Sequence, residues 1–221
     1  MTFLACARGL ARAGVALSVS VTVASAQTVD LGENLVAGSF LVRGRVLGVL
    51  PQHNGSAITR IGGHLDNSDS VSPELDLSYF FTDHIAVEGE TGILHTTLTA
   101  KDTRLGTVDI GKVSSVPVFI VPQYHLLPHA RFNPYLGVGL AIVPYFDDQP
   151  AGGLVRQLSV SSEVGAVFQI GVDYRVSGPW YANFDVKKLI LSAHATANNG
   201  LISASGQVNP WIIGAGIGYR F

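Results

Sequence analysis

Over its last eleven residues the chain alternates. Trp211, Ile213, Ile217, Tyr219 and Phe221 fall on one parity, and Ile212, Gly214, Gly216, Gly218 and Arg220 on the other. A period of two places successive side chains on opposite faces of a strand. One face here is large and apolar, whereas the other is mostly glycine and too small to build a core. A wall between lipid and a narrow lumen suits both faces, which is the pattern of a transmembrane β-barrel.

The same alternation marks eight segments, at about 39–49, 74–81, 85–100, 114–127, 132–146, 162–176, 180–196 and 209–221. The connections over 81–85, 127–132 and 176–180 are tight, whereas 49–74, 100–114, 146–162 and 196–209 are long and polar or glycine-rich. Short and long connections therefore alternate. This predicts an all-β fold: an eight-stranded antiparallel up-and-down transmembrane barrel with short periplasmic turns and long extracellular loops.

Parity assigns the faces. Phe40, Val46, Leu75, Leu77, Phe81, Ile120, Phe168, Ile170, Trp211 and Ile217 are among the residues placed outward, with Tyr79, Tyr174, Trp180, Tyr219 and Phe221 ringing the periplasmic rim and Phe146 and Trp211 the outer one. Amphipathic rings favour the headgroup zone. Inward and low lie Arg43, Arg45, Asp76, Glu88, Glu90, Asp173, Arg175, Asp185, Lys187 and Arg220. Eight strands enclose little more than side chains, so charges of both signs are expected to pair there as a plug. Higher up, Leu47, Leu94, Phe119, Val121, Val143, Leu189, Leu191 and Ile212 make the lumen apolar. An apolar funnel above a charged floor suits a greasy ligand entering from outside, although simple filling of a narrow barrel asks for the same residues. Pro117, Pro122 and Pro144 lie on the fourth and fifth segments and remove ladder donors, so they mark an expected lateral seam.

Composition and signals add location. Of the 221 residues, 47% are hydrophobic and only 14% charged, with a formal net charge of -2. That is poor in charge for a water-facing surface and offers no basic stripe for nucleic acid. Arg8 and Arg12 precede an apolar run and the small residues Ala24-Ser25-Ala26, which reads as a signal peptide over 1–26 and one mature domain over 27–221. Cys6, the one cysteine, falls in the part removed. The seven histidines lack ligand spacing, so no metal and no cofactor is expected. Glu88 and Glu90 share a face, but Arg43 and Arg45 make ion pairing the better reading than acid–base work. No nucleophile and oriented base sit together, so no catalytic residue is expected. Asn54-Gly55-Ser56 and Asp66-Asn67-Ser68 read as turn chemistry in the first long loop.

LVRGRVLGVLP from Leu41, PELDLSYFFTDHIAVE from Pro73, QYHLLP from Gln123, FNPYLGVGL from Phe132, GVDYRV from Gly171, DVKKL from Asp185 and NPWIIGAGIGYRF from Asn209 together resemble the OmpW family of small outer-membrane barrels, which includes AlkL-type proteins associated with alkane uptake. The resemblance implies passage of small apolar molecules across the outer membrane of a Gram-negative bacterium, with lateral release. It transfers no gate residue, because both tryptophans here sit at strand ends and Lys187 occupies the inward mid-strand region. The implied partners are outer-membrane lipid, small apolar solutes and, through the terminal aromatic, the barrel-assembly machinery. The alternative is a structural or surface-interaction barrel, adhesin- or receptor-like or stress-related, without transport.

Overall fold

The computed structural model describes residues 34–52, 57–58, 62–68, 70–153, 155–200 and 202–221. The expected signal peptide with Cys6, His53 and the turn at Asn54-Gly55-Ser56 lie outside the described residues. Among the described residues fifteen strands run in chain order: β1 (Phe40–Leu50), β2 (Ala57–Ile58), β3 (His64–Asn67), β4 (Ser70–Phe80), β5 (Ile85–Gly92), β6 (Leu94–Thr103), β7 (Gly106–Ser115), β8 (Val118–His125), β9 (Phe132–Val143), β10 (Tyr145–Pro150), β11 (Leu158–Val160), β12 (Glu163–Ser177), β13 (Trp180–Ala197), β14 (Ile202–Val208) and β15 (Trp211–Arg220).

Eight of them form the wall. β1, β4, β5, β8, β9, β12, β13 and β15 each pair antiparallel with the next, and β15 returns to β1 in one unbroken register from Leu41 opposite Arg220 to Leu50 opposite Trp211. Closure leaves no edge, as backbone in hydrocarbon requires. The ends are stitched as well: Phe221 N–H donates to the Phe40 carbonyl at 2.8 Å. The outward parity is exposed and apolar, with Leu75, Ile170 and Ile217 each about three-fifths exposed. Aromatic rings meet edge-on at the periplasmic rim, where Tyr219 contacts both Trp180 and Phe221.

The long connections differ from the loops the sequence suggests. They form a second tier of sheet, in the order β10-β7-β6-β3-β2-β14-β13, with β11 added to the far side of β13. Asp66 and Asn67 belong to β3 and not to a turn. This tier has its own core, in which Ile58, Leu98, Ala100, Ile110, Val113 and Val155 are buried. The reason is the solvent outside it. In β5 the buried residues are Ala86, Glu88 and Glu90 while Ile85 faces out, whereas in β6 Leu98 and Ala100 are buried while His95 and Thr97 face out. The alternation persists, but its polarity inverts where the wall leaves lipid for water.

Candidate functional site

The lower lumen is filled by one ion-pair network hung from two arginines of β1. Arg43 donates through Nε to Asp76 at 2.7 Å, through Nη1 to Asp173 at 3.0 Å, and through Nη2 to Ser78 at 2.7 Å and to Glu88. Arg45 reaches Asp76 at 2.9 Å, Glu90 at 2.5 Å, Asp185 at 2.9 Å and Glu74. Lys187 bonds Asp185 at 2.6 Å and Glu90 at 2.9 Å. Three cations thus face the six carboxylates of Glu74, Asp76, Glu88, Glu90, Asp173 and Asp185. Neutral amides supply further donors: Gln123 to Glu88 at 2.6 Å, and Gln169 to Asp185 at 2.7 Å and Glu88 at 3.1 Å. Charges removed from water need such partners.

Two residues assigned to the plug by parity stand elsewhere. Arg175 and Arg220 are only half-buried and bind Asn34, Arg175 Nη1 donating to its Oδ1 at 3.0 Å and Arg220 Nη1 to its backbone carbonyl at 2.9 Å. They hold the segment ahead of β1 across the periplasmic mouth. The adjoining Leu35 is 1% exposed, in a cluster with Leu41, Phe80, Ala86 and Tyr181. Between this cork and the ion network, the His125 ring packs at a tilt against Phe80 and Tyr135, at 4.7 and 5.0 Å between centroids.

Glu74, Gln123 and Gln169 are among the network members that escape the sequence reading. Glu74 shares the parity of Asp76 but stands at the start of the expected segment, whereas β4 begins four residues earlier. Gln123 and Gln169 carry no charge and so give no signal in a search for ion pairs; only their inward parity could have found them.

Glu88, Glu90 and Asp185 each bring one oxygen within 4.8 Å of the others. As a metal set they fit poorly, because Arg45 and Lys187 already stand where a cation would.

Above the network the lumen is apolar. Leu47, Phe119, Val121, Ala141, Val143, Val167, Leu189, Leu191 and Ile212 form one buried cluster, and Leu94 lies outside it on the wall of the space above. That space is two stacked chambers. The lower is bordered by Phe119, Val143, Leu189, Leu191 and Ile212 and the upper by Leu65, Leu98, Val113, Val160 and His194, and each is a cavity of about 80 Å³.

The prolines mark where ladder bonds are lost. β8 and β9 keep one register from Val118 opposite Ile142 to His125 opposite Tyr135, with rungs missing at Val121 and Pro122. β7 and β10 continue it from Tyr145 opposite Ser115, so Pro117 and Pro144 interrupt the ladder without splaying it. The longer break is one strand over. Among the described residues β10 pairs only with β7 and β11 only with β13, so above the Glu163–Val143 pair no described ladder joins β10 to β11. Tyr145 of β10 and Val160 of β11 both border the upper chamber.

A family model for the OmpW family matches residues 36–221. The chain belongs to the OmpW family. The match covers the wall, the ion network and both chambers. Among its OmpW-like relatives, the outer-membrane protein y4mB of Sinorhizobium fredii is 39% identical over 194 residues, covering 86% of this chain and 83% of the relative. Outer membrane protein AlkL of Ectopseudomonas oleovorans is 28% identical over 170 residues, 72% of each chain. The crystal structure of OprG from Pseudomonas aeruginosa superposes with a TM-score of 0.79 at 22% identity, covering 86% of this chain and 98% of that one, a likeness of fold. The protein is thus an outer-membrane β-barrel of a Gram-negative bacterium, and its relatives and structural neighbours are barrels of the same kind.

Proposed function

We propose that this OmpW-family barrel is a channel for passive passage of small hydrophobic molecules, which enter the upper chamber from outside, settle in the lower one and leave sideways into the bilayer. The observation that carries the reading is an apolar chamber standing on a sealed floor. Beneath it lie the ion network, the Phe80–His125–Tyr135 layer and the Leu35 cork. Forcing a solute through means breaking buried ion pairs, at about 3–5 kcal/mol for each partner left behind. Parting strands where no ladder exists costs far less, since a backbone hydrogen bond contributes only about 1 kcal/mol net. The lower end of the gap between β10 and β11, where Pro144 follows the last wall pair Glu163–Val143 and exposed Ile142 and Val164 still face lipid, is therefore the release site we favour over the in-register β8–β9 seam.

The partners of this reading are outer-membrane lipid and small apolar solutes. We also infer that the terminal Phe221, tied to Phe40, is read by the barrel-assembly machinery. A surface-interaction role without transport is the second reading. It is favoured by the separately packed extracellular tier and by Leu105, which is 60% exposed at the tip of the β6–β7 hairpin.

Uptake of an apolar solute by cells depending on this protein separates the two. Phe119→Asp or Leu189→Asp should abolish uptake, while Leu105→Asp should leave it intact. Uptake unchanged by both lumen substitutions in a folded barrel would sink the channel reading.

A further inference from the structure

The lipid-facing side of the wall carries one charge. Among the described residues of the eight wall strands, Lys188 is the one Lys, Arg, Asp or Glu on the outward parity, flanked along β13 by Val186 and the exposed Ile190. Hydrocarbon penalises an ammonium group heavily at the middle of the bilayer and little at its interface. Lys188 stands at the interface. It pairs with Trp211, the first residue of β15, and is the last residue of β13 to pair with that strand before β13 continues into the extracellular tier against β14. Its Nζ lies 4.7 Å from the centre of the Trp211 ring, donates to Gln52 Oε1 at 2.6 Å and donates to the Asn209 carbonyl. These partners hold the ammonium in place but are all neutral, and no carboxylate of the described residues pairs with it. The Gln52 amide nitrogen and the Trp211 indole N–H beside it donate to no described residue. A fixed cation accompanied by unused donors, with no acid among them, is a setting for an anion.

We propose that Lys188, Trp211 and Gln52 form a binding site for the phosphate monoester of an outer-leaflet glycolipid, whose acyl chains lie on the wall below. The outer leaflet of a Gram-negative outer membrane is built from a phosphorylated, multiply acylated glucosamine disaccharide, so the anion is present at the height of this rim. Lysine meets phosphate as a point charge, and an indole favours the same headgroup zone. The surface beneath suits the chains: exposed Phe168 pairs with Lys188 from β12, and exposed Phe184 and Ile213 lie further down the same face. Free inorganic phosphate offers the same head chemistry but makes no use of that apolar surface, which favours the lipid. The site does not rest on the channel reading, because its cation and its indole stand on the outside of the wall and the chambers lie within it.

The test uses the full barrel in phosphatidylcholine nanodiscs and follows the indole N–H NMR signal of Trp211, with Trp180 at the periplasmic rim as internal reference. Lipid A, or lipid A stripped of both phosphates, is mixed into the bilayer at rising mole fraction. The Trp211 signal should move saturably, with half-saturation at about fivefold lower mole fraction for the phosphorylated lipid. Lys188→Gln should erase that preference and Lys188→Arg, which keeps the charge, should retain it. Gln52→Ala should reduce it and serves if Lys188→Gln folds poorly. Equal half-saturation for the two lipids, a preference unchanged in the substituted barrel, or a Trp180 signal that follows the same curve as Trp211 would overturn the site. Inorganic phosphate that alone saturates the Trp211 shift in phosphatidylcholine discs would also overturn it, by showing that the site takes a free anion and needs no lipid.

Discussion

The Lys187 ammonium lies 2.9 Å from Glu90 Oε2, joining β13 to β5, which stand opposite each other in the ring of eight wall strands. One ion pair therefore spans the lumen. Lys187→Met should leave Glu90 and Asp185 to share Arg45 as their one cation, destabilising the barrel by about 3–5 kcal/mol. On unboiled gels the compact folded band should disappear at a lower temperature than for the parent. Adding Glu90→Gln should recover part of the loss, because it removes one of the buried carboxylates left in excess of the cations. A double variant no more stable than Lys187→Met would show that the pair is not coupled.

Three inward glycines of β15 permit that network. A methyl group on Gly216 would sit 2.7 Å from Arg45 Cα and Cγ, and one on Gly218 2.7 Å from Arg43 Cγ. Gly216→Ala should force the β1–β15 contact apart at about 1–3 kcal/mol and lower the folded yield. Gly44 is the control, since a methyl there meets nothing within 4 Å. Gly44→Ala should stay within about 0.5 kcal/mol of the parent by the same melting assay.

Those glycines also show what the sequence could and could not convey. Period-two alternation reveals a wall whatever fills it, so barrel, strand parity and girdles are legible from Phe40 to Phe221. The glycine face reads equally as room for a solute, yet Arg43, Arg45 and Asp185 take the room. Reach is what parity lacks. The Arg43 guanidinium ties β1 to Asp173 on β12, whereas Arg175 and Arg220, of matching parity, sit too near the mouth and turn to Asn34. The second tier stays hidden for a different reason. A search for apolar-outward strands cannot find ones such as β7, where Lys112 meets water and Val113 the core.

Leu35 closes the periplasmic mouth from a segment with little hold of its own. Besides its burial, that segment is held by Arg175 and Arg220 on Asn34 and by the Ala37 N–H donating to Asp83 Oδ1 at 2.9 Å. Leu35→Ala should cost about 2–5 kcal/mol of local docking energy. Limited proteolysis should then release the chain ahead of Ser39 while the barrel remains folded. Loss of the whole barrel at the same rate would mean that the cork and the wall unfold as one unit.

Asp148 is the fastening across the gap between β10 and β11. Its Oδ2 accepts from the Val160 N–H at 3.2 Å, standing in for the absent ladder. If solute leaves there, loosening the edges should speed release without altering occupancy of the lower chamber. Asp148→Ala should raise uptake of an apolar solute about two- to tenfold, in keeping with loss of one hydrogen bond of about 0.5–1.5 kcal/mol. Replacing both Asp148 and Val160 with cysteine should do the reverse, with uptake falling on oxidation and returning on reduction. The chain suits this experiment, because its one cysteine is Cys6 in the expected leader. Uptake that ignores both the loosened and the locked edge would move the exit to the β8–β9 seam, where substituting Pro117 and Pro122 by residues that restore the ladder donors should then slow it.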